Sequence, residues 1–109
     1  MVTVGAMQVV FNTMLNFIEP GEEVIVMDPG YDYFSQIRLF GGVPVSVPLH
    51  EENGFRLDPE DLKSALTSKT KLIVINSPSN PTGAVFDRAL MQEIADIAIE
   101  HDLLVFSEL

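Results

Sequence analysis

A chain of 109 residues with 47% hydrophobic side chains fits one compact domain with a sizeable core. Sixteen acidic against six basic residues give a formal net charge of -10, which disfavours nucleic-acid backbones and anionic membrane surfaces as partners. The absence of cysteine excludes disulfides, thiolate metal sites and a cysteine nucleophile, and suits a reducing, cytoplasmic setting. His50 and His101 have no companion at ligand spacing, so no metal site is expected. The amino terminus lacks a basic n-region and no apolar run approaches membrane-spanning length, so neither a secretion signal nor a membrane helix is expected.

In chain order, Val2-Thr3-Val4 reads as a short strand and Gly5-Ala6 as the turn into a helix with apolar Met7, Val10, Phe11, Met14, Leu15 and Ile18 on one face. Pro20-Gly21 ends that helix and Glu23 to Met27 reads as a buried strand. Asp28-Pro29-Gly30 is a turn, Tyr31 to Phe40 a shorter helix with Phe34 and Ile37 inward, and Gly41-Gly42 its stop. Val43 to Leu49 is the next strand, followed by a polar stretch with the turn signal Asn53-Gly54. Asp58 caps a helix that has Pro59 at its first position and Leu62, Ala65 and Leu66 as its apolar side. Leu72 to Ile75 is the most strand-like run in the sequence; a helix from Asp87 to Glu100 and a strand from Leu103 to Phe106 complete the chain.

Alternating strands and helices predict an α/β fold with a mostly parallel sheet, right-handed crossovers and flanking helices. Ligands gather at the carboxyl edge of such sheets, and there the Leu72 strand delivers the loop Asn76 to Gly83, Asn-Ser-Pro-Ser-Asn-Pro-Thr-Gly. Two prolines stiffen this loop, and Pro81 biases Asn80 toward an extended backbone that projects its amide. Taken alone, the loop reads equally well as a plain connection. The last strand stops at Leu109, without the loop and covering helix expected to follow, so the architecture reads as incomplete.

Several stretches together resemble one family, the pyridoxal-phosphate-dependent aminotransferases of fold type I, class I/II. They are Val2 to Ala6, Pro20 to Val26, Asp28-Pro29-Gly30-Tyr31, Gly41 to Val45, Ser79-Asn80-Pro81-Thr82-Gly83 and His101 to Ser107. Val9 to Gly21 and Asp28 to Phe34 are similar to the kynurenine and glutamine aminotransferase branch. The resemblance implies that residues 1–109 are part of the large cofactor-binding domain, with no second domain, and that the cofactor is pyridoxal 5'-phosphate. It implies cofactor contacts at Gly5, Ala6 and Met7, which cup the phosphate with backbone N–H groups at a helix start. It further implies stacking by Tyr31 on the pyridine ring and a hydrogen bond from Asn80 to the phenolic oxygen. Tyr33 has a weaker claim. Without the family, Gly5-Ala6 reads as an ordinary turn and Tyr31 as a tyrosine beside a Pro-Gly turn.

Two departures from the family pattern stand out. The family's aspartate, which pairs with the protonated pyridine nitrogen, is matched by Glu108, longer by one carbon–carbon bond of roughly 1.5 Å; a one-residue deletion near Leu109 is the other reading of that match. The family's catalytic lysine has no match, since Lys63, Lys69 and Lys71 fall ahead of the Leu72 strand, at the opposite edge of the sheet. No residue of this chain is therefore expected to be catalytic. The resemblance implies a fragment of an enzyme that moves an amino group from an L-amino acid to a 2-oxo acid as a homodimer, inactive on its own. The alternatives are a non-catalytic truncated or degenerate product that pairs with a related subunit, and a pyridoxal-phosphate-dependent β-lyase on the same scaffold.

Overall fold

Val24 to Val26 and Leu72 to Ile75 are apolar at every position, as strands of a parallel sheet covered on both faces must be. In the computed structural model, which describes residues 2–108, both runs lie at the centre of one sheet. Its strands are β1 (Glu23–Asp28), β2 (Val43–Pro48), β3 (Thr70–Asn76) and β4 (Leu104–Glu108), all parallel and ordered β2-β1-β3-β4. The helices are α1 (Gly5–Phe17), α2 (Phe34–Leu39), α3 (Pro59–Ala65) and α4 (Arg88–Glu100). Alternate strand residues feed two cores. Val24, Val26, Leu72 and Val74 pack with Val10 and Met14 of α1 and Ile37 of α2, whereas Ile25, Val47, Ile73 and Ile75 pack with Leu62 of α3 and Leu90 and Ile94 of α4. The predicted α/β fold with a parallel sheet and flanking helices is the fold observed.

Three local expectations change. Val2-Thr3-Val4 is not a strand; Val2 and Val4 are exposed, the Thr3 hydroxyl donates to the Gly5 carbonyl, and the Val4 N–H donates to the Gln8 side chain. Those bonds turn the main chain into the start of α1 and away from any ladder. The buried line of α1 is narrower than predicted: Val10, Met14 and Ile18, spaced by four, touch the sheet, while Met7, Phe11 and Leu15 stay exposed. Tyr31 to Tyr33 precede α2 rather than opening it, because the Asp32 carboxylate accepts from Phe34 N–H at 3.0 Å and gathers the first turn behind itself. At the other end of α2, Gly41 and Gly42 stop the helix by donating to the Arg38 and Ile37 carbonyls, both at 3.0 Å, with Gly41 at φ 80°.

The two later helices are capped by aspartates. Asp58 accepts from Glu60 N–H at 2.9 Å and Asp87 from Leu90 N–H at 2.9 Å. Asp87 also takes a two-pronged ion pair from Arg56, at 2.6 and 3.0 Å, which ties the segment before α3 to the start of α4. The Arg56 guanidinium, and then the Leu90 N–H, hold the Asp87 carboxyl down to about 2. A carboxyl depressed on folding adds stability that is complete above its unfolded value and lost as pH falls through the folded one. Asp87→Asn, which keeps the cap and loses the charge, is therefore less stable than the wild type near neutral pH. In urea unfolding the gap between the two closes between about pH 4 and about pH 2.

The sheet's two edges differ. Val43 N–H donates to Glu22 O at 2.8 Å and Leu49 N–H to Asp28 O at 2.7 Å, so the odd residues of β2 turn their main chain toward β1. The outward positions are then Pro44, Ser46 and Pro48, two of which have no N–H to offer. In β4 the Glu108 carbonyl accepts from Ser77 N–H at 3.2 Å, which leaves Val105 and Ser107 outward with their donors intact. Leu104 and Val105 are 37% and 45% exposed, so this edge is also apolar. The 109-residue chain in isolation should self-associate through β4. Sedimentation velocity should show Val105→Pro shifted toward monomer and Ser46→Pro unchanged; a concentration-independent monomer for the unaltered chain contradicts this.

Candidate functional site

Because all four strands run the same way, their carboxyl ends deliver Asp28, Asn76 and Glu108 to one lip of the sheet, with the start of α1 beside them. A cleft of about 310 Å3 opens there, lined by Val4, Gly5, Ala6, Met7, Tyr31, Asn76, Asn80 and Glu108. Its size is at the low end of small-molecule sites, about 300–1,000 Å3. All six residues singled out in the sequence, Gly5, Ala6, Met7, Tyr31, Asn80 and Glu108, face this one cavity although they span almost the whole chain. Asn76 and Val4 complete the lining.

The amino end of α1 is suited to an anion. Gly5 has φ 71° and no atom within 4 Å of where a side chain would begin, so the backbone here is open to approach. The first turn has no acidic residue and Val4 supplies no side-chain cap, so among the described residues no capping side chain competes with an anion for the N–H groups of this turn. Across the cleft, Tyr31 is partly exposed and its ring meets that of Tyr33 edge-on, centroids 5.4 Å apart.

Asn80 is carried by a loop that is folded on itself. Ser79 N–H donates to Ala84 O at 2.8 Å, Gly83 N–H to Ser79 O at 2.7 Å, and the buried Ser77 hydroxyl oxygen accepts from Phe86 N–H at 2.9 Å. Asn76 ties this loop to the sheet, since its Oδ1 accepts from Asn80 N–H at 2.6 Å while its Nδ2 reaches the Glu108 carbonyl at 3.4 Å. Glu108 is half-buried, and the Tyr33 hydroxyl donates to its Oε2 at 2.5 Å. Burial of the Tyr33 phenol, this hydrogen bond and the Glu108 charge push its pKa well above the ordinary phenol value. Asn76 and Tyr33 are thus members of the site that sequence patterns underrate. Asn76 opens the loop and so carries a hint, whereas the bond between Tyr33 and Glu108 joins residues with no pattern in common.

The lysines lie elsewhere. Lys63 pairs with Glu60 at 2.8 Å on α3, and Lys69 and Lys71 flank the first residue of β3, beside Gly21 and His101 at the amino edge of the sheet. Leu109, where a one-residue deletion is the other reading of the Glu108 match, lies outside the described residues. His50 pairs with Asp61 at 3.0 Å, on the surface. Among the described residues no helix is long and apolar enough to cross a membrane.

A parallel sheet with an open helix start, an aromatic ring, an amide and a carboxylate converging at its carboxyl edge defines an α/β protein with a cleft of small-molecule size at the edge where such folds place their ligands. The family model for aminotransferase class I and II matches residues 1–108, and the chain belongs to that family. Curated relatives include an aspartate aminotransferase of Pyrococcus abyssi, 48% identical over 99% of this chain and 28% of its own length. Another is kynurenine--oxoglutarate transaminase 3 of Mus musculus, 40% identical over 99% of this chain and 26% of its own length. Among solved structures, an aspartate aminotransferase of Thermus thermophilus superposes with a TM-score of 0.94 at 43% identity, covering 96% of this chain and 28% of that one. The aromatic aminotransferase of Pyrococcus horikoshii gives 0.94 at 44%, over 98% and 29%. The chain therefore spans a little over a quarter of the length of these relatives.

The tether from Asn76 to Asn80 is testable by hydrogen exchange. Asn76→Ala removes the acceptor and should sharply lower the protection of the Asn80 amide, whereas Asn76→Asp retains an acceptor oxygen and should preserve it.

Proposed function

We propose that this chain is the cofactor-cradling part of a pyridoxal-phosphate-dependent aminotransferase, residues 1–109 forming a portion of its large domain. The complete enzyme transfers an amino group from an L-amino acid to a 2-oxo acid and works as a homodimer. The observation that carries the reading is the convergence of Gly5, Ala6, Met7, Tyr31, Asn80 and Glu108 on one cleft.

The donor set fits the ligand's chemistry from end to end. N–H groups of the first turn of α1 bind a phosphate with the helix dipole in support, which a chain of net charge -10 otherwise repels. Tyr31 offers an aromatic face for the ring. The Asn80 amide donates to a phenolate oxygen and stabilises its charge without titrating. Glu108 accepts from a protonated ring nitrogen and keeps it cationic. When bound, pyridoxal phosphate supplies the electron sink for amino-group transfer. Among the described residues no lysine lines the cleft, so none of Lys63, Lys69 and Lys71 is placed to link to the cofactor and move the substrate proton.

Pyridoxal phosphate should therefore bind the isolated chain reversibly. Asn80→Ala should weaken that binding about tenfold or more, the effect of losing one hydrogen bond to a charged oxygen. Borohydride trapping and peptide mapping should find adducts scattered over Lys63, Lys69 and Lys71 and indifferent to Asn80→Ala. A single stoichiometric adduct that vanishes in Asn80→Ala, or amino transfer to 2-oxoglutarate, overturns the assignment of this chain as a non-catalytic part.

A further inference from the structure

We propose that Tyr33 is a positioning residue for Glu108: its hydroxyl anchors one carboxylate oxygen and so presents the remaining acceptor sites to the cleft. The inference rests on the reading of Glu108 as partner of a cationic ring nitrogen and adds to it the group that aims the carboxylate.

Four observations carry it. Tyr33 is 3% exposed and sits in the core between α1, α2 and the sheet, so its ring has a fixed position. Its hydroxyl donates to Glu108 Oε2 at 2.5 Å, a short charge-assisted contact between residues 75 apart in sequence. Glu108 itself lines the cleft from the end of an edge strand, with one flank of its strand unpaired, and a glutamate has three side-chain torsions to fix. Finally, the ring of Tyr33 backs the ring of Tyr31 edge-on, so one buried side chain supports both the aromatic wall and the acid. A tyrosine needed only to fill the core does not require its oxygen to meet a cleft-lining carboxylate, and a phenylalanine fills nearly the same volume.

The phenol is also suited to stay a donor. Its proton is held firmly in this setting, so around neutral pH the hydroxyl donates and the Glu108 oxygen accepts. The arrangement gives the longer acid the fixed aim that a shorter one gains from having fewer torsions.

The test uses the 109-residue chain with 4-deoxypyridoxine 5'-phosphate, which has the ring, phenol and phosphate but no aldehyde, and reads protonation of its labelled ring nitrogen by NMR. In the wild type the bound ring should keep its proton to higher pH than the free probe. Glu108→Gln should abolish that increase, and Tyr33→Phe should lose the larger part of it, with probe affinity falling in step where the bound ring is protonated and unchanged at a pH where the ring is neutral both free and bound. A Tyr33→Phe chain with wild-type ring protonation overturns the proposal and leaves the reading of Glu108 intact. A wild type in which the bound ring titrates like the free probe, or in which Glu108→Gln has no effect, sinks that reading and the proposal with it. Absorbance titration of the tyrosines needs neither probe nor Tyr33 variant: in Glu108→Gln the Tyr33 phenol, still raised by burial, should ionise at lower pH than in the wild type, and no movement means that the pair is not formed in solution.

Discussion

The last rung between β3 and β4, Asn76 opposite Glu108, brings an amide and a carboxylate from positions 32 apart onto one lip of the sheet. Shift that pairing by one residue and β4 turns over, since its side chains alternate between faces, and Glu108 points to the α3–α4 side. β3 is apolar on both faces, so the facing of β4 is marked by Phe106, which packs against the core that holds Leu72 and Val74 and sets Glu108, two residues on, to the same side. The location of the cleft is in this sense a consequence of a hydrophobic layer beneath it.

Around that fixed lip, groups arrive with graded stiffness. Glu108 and Asn76 are on strands. Asn80 sits on a loop whose turns are closed by its own backbone bonds and whose base is pinned by the buried Ser77. Gly5 to Met7 belong to a helix that touches the core through Val10, Met14 and Ile18 alone, with its first turn standing clear. Affinity gained through these groups depends on how little each must be ordered on binding. The α1 start is the least braced of them, and the Asn80 loop is braced mainly by itself.

Much of this was legible in the sequence, and the reasons are specific. Leu72 to Ile75 could hardly be anything but a doubly buried strand, and Asp58-Pro59 wrote the start of α3 in two residues. The order of motifs from Gly5 to Glu108 drew attention to the six residues that meet at the cleft. The order of strands was not legible, because β1 lies between β2 and β3 for reasons of pairing that no local pattern records. Val2-Thr3-Val4 has strand-like composition, yet a strand needs a neighbour and here the chain had Gln8 to satisfy it instead. Tyr33 was underrated because its importance comes from where its hydroxyl ends, beside a carboxylate in the last strand.

Gly42 has a reach out of proportion to its size. A β-carbon there would stand 2.9 Å from the Cγ2 atoms of both Ile18 and Ile37 and 3.0 Å from the Ile37 carbonyl, closer than side chains pack. Ile18 closes α1, whose far end bears Gly5 to Met7, and Ile37 is in α2, which begins just after the Tyr31–Tyr33 pair. The closeness with which the end of α1 approaches α2, at the opposite end of α1 from the cleft, therefore depends on a residue that contributes only by being small.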